Sequence, residues 1–221
     1  MARSKVPTDP NMTPEVRRYL DDLSRASDTL QQELQAALDA LPDFASQAEA
    51  EAGASTTVMM SPLRTNQAIK VLNPLYFHLH VRDEKTSGTG GGTFTSGAWQ
   101  TRTLNTVVTN RITGASLASN TVTLPAGLYL CQGSAPAFDV GKHKLRLWNV
   151  DSSAEIMLGS SDVVPASGYN RNIIQGEFTL SVETDIRLEQ RCQNTKTTNG
   201  FGVNASLGTE IYADISFWKL D

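Results

Sequence analysis

Not one of the chain's 16 glycines falls before Gly53. Glycine is disfavoured inside helices and is needed where a chain must turn tightly, so this partition divides the sequence into two structural regimes. Residues 1–52 are rich in Ala, Leu, Gln, Glu and Asp and carry 5 basic and 10 acidic side chains, whereas the rest is rich in Gly, Thr, Asn and β-branched residues, with 14 basic and 13 acidic side chains. A helix followed by an all-β domain is the expected architecture. With 221 residues there is chain enough for one large β domain and an extension.

Several function classes are disfavoured at once. No run approaches the roughly 18 apolar residues of a membrane helix, and the opening MARSKVPTDPNMTPEV has no apolar signal core. The expectation is no membrane insertion and no export leader. The near-balanced charge after residue 52 offers no basic stripe for nucleic acid. Cys131 and Cys192 lack the paired spacing of a zinc site and are expected as buried thiols.

Thr13-Pro14-Glu15 has the pattern of a helix start: a hydroxyl cap, a proline in the first turn, and an acid at the positive end of the dipole. From there Val16, Leu20, Leu23, Ser27, Leu30, Leu34, Ala37 and Leu41 recur at steps of four and three, the seam of a coiled coil. Such a seam needs cover, because each leucine left in water forgoes about 1.5–3 kcal/mol of burial. Self-association through Leu23, Leu30 and Leu34 is the expected cover, with packing on the chain's own β domain as the alternative. Pro42 should break the helix, leaving DFASQAEAEA as a short second one. Residues 53–74 show no sustained period and are expected to connect, with one strand around Ala68–Leu72.

From residue 75 onward the pattern is of period two. Leu75, Phe77, Leu79 and Val81 alternate with Tyr76, His78, His80 and Arg82. Strands are expected around Trp99–Leu104, Val107–Ile112, Thr121–Leu124, Gly127–Ala135, Lys144–Val150, Ile156–Gly159, Ile173–Val182, Ile186–Cys192 and Glu210–Lys219. So many strands with no helical stretch between them predict a two-layer antiparallel sandwich or barrel. On this register Tyr76, Tyr129, Trp148, Tyr212 and Trp218 fall opposite the core. Such an aromatic set outside suggests a subunit interface. A one-residue slip would place the same side chains in the core instead.

Residues 121–129, TVTLPAGLY, resemble the strand, Pro-Gly turn and tyrosine-led strand of the jelly roll of complement globular heads and tumour-necrosis-factor ligands. KLRLWNVDSSAEIMLG, EFTLSVETDIRLEQRC and EIYADISFWKL follow in the matching order. VRDEKTSGTGGGTFTSGAWQTRTLNTVVTN, TLPAGLY and RCQNTKTTNGFGV are similar to C-terminal domains of tailed-phage fibre and virion proteins. The resemblance covers about residues 75–221. It implies a trimeric jelly-roll knob, and the alternation of the strands offers Tyr76, Tyr129, Tyr212 and Trp218 as its interface residues.

Catalytic chemistry finds little foothold. Gly88-Thr89-Gly90-Gly91-Gly92 lacks the Lys-Ser/Thr and helix of a phosphate loop and is expected to be a flexible loop. His78 and His80 share a strand face, so three copies around an axis offer imidazoles to an ion, though exposed histidines suffice as an explanation. His143 has no nucleophile beside it in a known motif, and no pair of carboxylates stands out for glycan cleavage. No catalytic residue, metal or cofactor is assigned. Ligand contact is expected in the loops, with Trp99, Tyr169, Arg171, Asn172, Asn194 and Lys196 as candidates.

The expected protein is a homotrimer of the virion, made without a signal peptide in the host cytoplasm. Residues 1–52 form a helical attachment and oligomerisation segment that binds tail, neck or capsid proteins. Residues 53–74 connect it to a jelly-roll knob, residues 75–221, which binds a host cell-surface glycan or protein. A purely structural neck, collar or capsid-decoration trimer is the alternative.

Overall fold

The computed structural model describes residues 12–73 and 75–221. Residues 1–11 of the opening segment and Pro74 lie outside the described residues. The chain divides into two compact units, Met1–Ile69 and Lys70–Asp221.

In the first unit, α1 spans Pro14–Asp39. Thr13 caps it, its hydroxyl accepting from the Val16 amide at 3.4 Å, and Pro14 occupies the first turn as the sequence predicts. The helix stops ahead of Pro42. None of its residues is buried; Leu23 is 49% exposed, Leu30 65% and Leu34 63%. The second helix, α2 (Gln47–Ala52), is held by a capping box: the Glu49 amide donates to the Ser46 hydroxyl, and the Ser46 amide donates to the Glu49 carboxylate. That interaction holds the Glu49 carboxyl below the usual range.

The strand expected at Ala68–Leu72 is instead the end of a helix, α3 (Pro62–Leu72). Its start repeats the device at Thr13-Pro14. The Ser61 hydroxyl accepts from the Arg64 amide at 3.3 Å with Pro62 next in line, and this local signal outweighs the β-branched residues further on. Ala45, Ala50 and Ala68 pack with Val58 into a small apolar cluster. Among the described residues no helix is long and apolar enough to cross a membrane.

Among its described residues the second unit contains eleven strands: β1 (His78–Lys85), β2 (Gln100–Thr101), β3 (Thr106–Asn110), β4 (Ser116–Ala118), β5 (Thr121–Leu124), β6 (Gly127–Phe138), β7 (Gly141–Asn149), β8 (Ala154–Val164), β9 (Tyr169–Leu180), β10 (Thr184–Cys192) and β11 (Glu210–Lys219). One sheet has the order β3-β1-β11-β6-β9, the other β4-β5-β10-β7-β8, with β2 pairing on β10. Apart from the β7–β8 hairpin, successive strands from β5 to β11 cross between the sheets, and every ladder is antiparallel, so the unit is a jelly-roll sandwich. The first and last strands lie side by side, His78 opposite Trp218.

The main core fills the space between the sheets with Leu79, Val81, Leu124, Leu145, Leu147, Ile174, Ile186, Ile215 and Phe217 among its members. Leu75, expected inside with Leu79, precedes β1 and is 59% exposed. A second cluster contains Phe94, Ala137, Val140, Val164 and Cys192, with Phe201 against it. Cys131 belongs to the first cluster and Cys192 to the second; both are free buried thiols, and burial pushes each up to about 11.

The glycine cluster is not a loose loop. Gly91 and Gly92 amides donate to Gly202 and Thr198 carbonyls at 2.8 Å. A Cβ at Gly91 would stand 2.6 Å from the Phe201 carbonyl carbon, so glycine is required by close backbone packing.

Candidate functional site

The five aromatic residues expected on the outside separate into two groups. Tyr76 is 39% exposed, and Trp218 and Trp148 are half-buried on outer sheet faces. Trp218 stacks on His78 at 4.8 Å between centroids, and Arg111 lies 5.2 Å over Tyr76. Tyr129 and Tyr212 do not join them: they are 0% and 2% exposed and belong to the interior. In β6 the inward set is Gly127, Tyr129 and Cys131, which turns Leu128 and Leu130 outward. In β11 two residues, Tyr212 and Ala213, face the single Asp83 of β1. This bulge turns Tyr212 inward and leaves Ile211 41% exposed. Each buried phenol has a partner, Tyr129 donating to Pro125 O at 2.8 Å and Tyr212 to Thr89 O at 2.6 Å. Burial pushes both up to about 12.

The outer face of the first sheet therefore presents Tyr76, His78, His80, Trp218, Leu128 and Leu130. His80 Nε2 lies 3.0 Å from Asp214, giving that ring an acidic partner. Burial, with His80 and Arg111 nearby, lowers the His78 value.

The predicted ligand residues also disperse. Asn172 is not a loop residue; it lies in β9, fully buried. Its side-chain oxygen pairs with His143 Nδ1 and accepts from Gln190 Nε2 at 2.9 Å, while its amide nitrogen donates to Ser160 O at 2.9 Å. Gln190 Oε1 in turn accepts from Arg102 Nη1 at 3.1 Å. Arg102 is buried completely, donates also to Pro136 O and Phe201 O, and lies 4.1 Å over the Phe201 ring. Burial lowers its value to about 9, and burial raises that of Asp83, whose neighbours Lys85 and Arg102 oppose the rise. This network contains no nucleophile beside a base; it ties the two sheets together.

Arg171 is likewise on β9, donating to Ser134 Oγ at 3.1 Å and to Tyr212 O. Lys196 is bound to Asp139 at 2.6 Å, which holds that carboxyl below its usual range, and is thereby occupied within the chain. Tyr169 is 49% exposed at the start of β9, and Asn194 is exposed after β10. Of the six, Trp99 lines a cavity.

That cavity is an open cleft of about 710 Å³ on the second sheet, lined by Trp99, Lys142, Lys144, Ser161, Asp162 and Arg191 among others. Pairing sets Arg191 opposite Lys144, and Lys144 opposite Ser161, across β10, β7 and β8. One strand step away, Arg146 lies between two indoles, 4.2 Å from the Trp99 ring centre and 3.8 Å from that of Trp148. Its guanidinium also donates twice to Glu189 Oε2, at 2.6 and 2.9 Å. This clamp fixes Trp99 at the cleft.

No protein-family profile matches the chain, and no curated protein does. Among solved structures it is similar to murine APRIL at pH 8.0, with 17% identity over 65% of this chain and 98% of that one, at a TM-score of 0.42. It is similar also to the globular domain of the zebrafish complement 1qA protein, with 15% identity over 65% of this chain and 97% of that one, at a TM-score of 0.44. The strand order rests on the chain's own ladders.

The clamp and the cationic lining were not foreseen. Their signal is in the sequence nonetheless: Lys142, Lys144 and Arg146 alternate with His143, Leu145 and Leu147, so the cations share the outer face of β7.

Proposed function

We propose that this chain is a homotrimeric virion protein, with residues 1–52 serving attachment and self-association and residues 53–74 connecting them to a non-enzymatic jelly-roll knob that binds the host surface. The observation that carries the trimer is the leucine row of α1, left exposed along its length. A row of this kind is stable in water once copies cover one another. Tyr76, Trp218, Leu128 and Leu130 on the first sheet supply a second self-contact surface. The virion assignment rests on the fibre-like phrases between residues 81 and 203, in the order in which they occur.

The second reading is a neck, collar or capsid-decoration trimer without a ligand. It is favoured by the length of α1, whose 26 residues reach only about 39 Å and make a short stalk. Binding of the purified full chain to host cells supports the first reading. Co-purification with portal or neck proteins, together with no cell binding at high concentration, selects the second.

A further inference from the structure

The cleft on the second sheet departs from the rest of the unit in charge. Lys142, Lys144 and Arg191 line it, and among the described residues none of the three is ion-paired. Glu189, two residues before Arg191 on β10, is already engaged by Arg146. Asp162 is the one acid in the lining, and its Oδ1 accepts from the Val163 amide at 2.7 Å. Three cations against one acid, in a concavity, concentrate a positive potential there.

The lining also has a flat apolar component. Trp99 is held from one side by Arg146, so its orientation is set before any ligand arrives. An indole plane beside cations suits a ligand with both a ring face and negative charge. At about 710 Å³ the space is in the range of sites for drug-sized molecules and far exceeds what a lone anion needs. Lys144 and Arg191 stand on adjacent strands about 4.8 Å apart, and Lys142 and Lys144 are two residues apart along one strand, about 6.7 Å. These backbone separations are comparable with the length of one sugar ring, which places one cation per saccharide unit along the cleft.

The geometry points to this cleft as a binding site for a carboxylate-bearing polysaccharide, with Trp99 stacking on a sugar ring and Lys142, Lys144 and Arg191 holding its carboxylates. This deepens the host-surface reading and rests on it only for the source of the polymer. The face opposite, with Tyr76 and Trp218, is the one assigned to contact between knobs, so that contact leaves the cleft uncovered.

The test uses the full chain and calorimetric titration with oligogalacturonate, its methyl ester, inorganic phosphate and single-stranded DNA. Oligogalacturonate is expected to bind, at least tenfold more tightly than the ester, and more weakly as salt rises. Lys144→Glu with Arg191→Glu should weaken it at least tenfold, and Trp99→Ala independently by a similar factor, with circular dichroism unchanged in the charge-reversal variant. Equal binding of the ester, equal binding of single-stranded DNA, binding of inorganic phosphate alone, or no effect of the charge reversal each overturns the assignment. Host-cell binding is measured alongside: its loss with oligogalacturonate binding intact counts against the host-surface reading and not against the cleft.

Discussion

Replacing Leu30 by Asp tests the self-association of α1 directly. Leu30 is 65% exposed in the single chain, so about two-thirds of its burial energy is still available to a partner. Full burial of a leucine is worth about 1.5–3 kcal/mol, which leaves about 1–2 kcal/mol per chain and about 3–6 kcal/mol for three chains. At 1.4 kcal/mol per factor of ten, the association constant should fall roughly a hundred- to ten-thousand-fold. Three carboxylates brought together at the seam add repulsion in the same direction. Light scattering on the native chain should give three times 23.9 kDa, and the variant should dissociate at concentrations where the native protein does not. Its jelly roll should keep its circular dichroism and melting profile, because no residue of α1 contributes to the sandwich core. A monomeric native chain, or a variant that associates unchanged, would refute the reasoning.

Other outcomes follow from the interior. Arg102→Met should destabilise the chain by about 3 kcal/mol, read from the urea midpoint, because Pro136 O, Phe201 O and Gln190 Oε1 lose a buried donor while relief from burying the guanidinium offsets only part of that. In an ultraviolet difference titration of the five tyrosines, Tyr129 and Tyr212 should ionise last, near the value of about 12 to which burial pushes them; five titrating together would place them at the surface. Glu210 accepts from the amides of Ala205, Gly88 and Ser206, the first two contributing most to holding its carboxyl below the usual range. A lowered folded value means that its contribution is complete at neutral pH and drains as pH falls below its ordinary 4.5, so Glu210→Gln should flatten the loss of stability between about pH 5 and pH 3. An unchanged slope would show that the carboxylate is not the group being titrated.

Much of the backbone was legible because its signals are local. Thr13-Pro14 and Pro42 bracket α1, and the bounds Thr121–Leu124 and Glu210–Lys219 coincide with β5 and β11. Where two local signals compete, the helix start prevails: Ser61-Pro62 opens α3, which runs through the β-branched stretch at Ala68–Leu72 that by itself favours a strand. The short β4 gave no period to detect, three residues being less than two alternations. In the candidate cleft only Trp99 was foreseen. The cations of β7 share a face by simple alternation, but their convergence with Arg191 and Trp99 requires knowing that β10 lies beside β7 and β2 beside β10.

The amino-acid order alone determined that a capped amphipathic helix precedes an antiparallel sandwich, because capping, proline exclusion and period-two burial act over a few neighbouring residues. Tertiary structure decided which side of a strand is inside. Tyr212 turns inward through a bulge defined only by its partner β1, and Tyr129 through the sheet that covers β6. It also decided that Arg102 meets Gln190 and Phe201, residues 88 and 99 positions away, and that Asn172 is a buried strut and not a ligand contact. Such contacts depend on the closure of long loops, and no short window of sequence records which ends will meet.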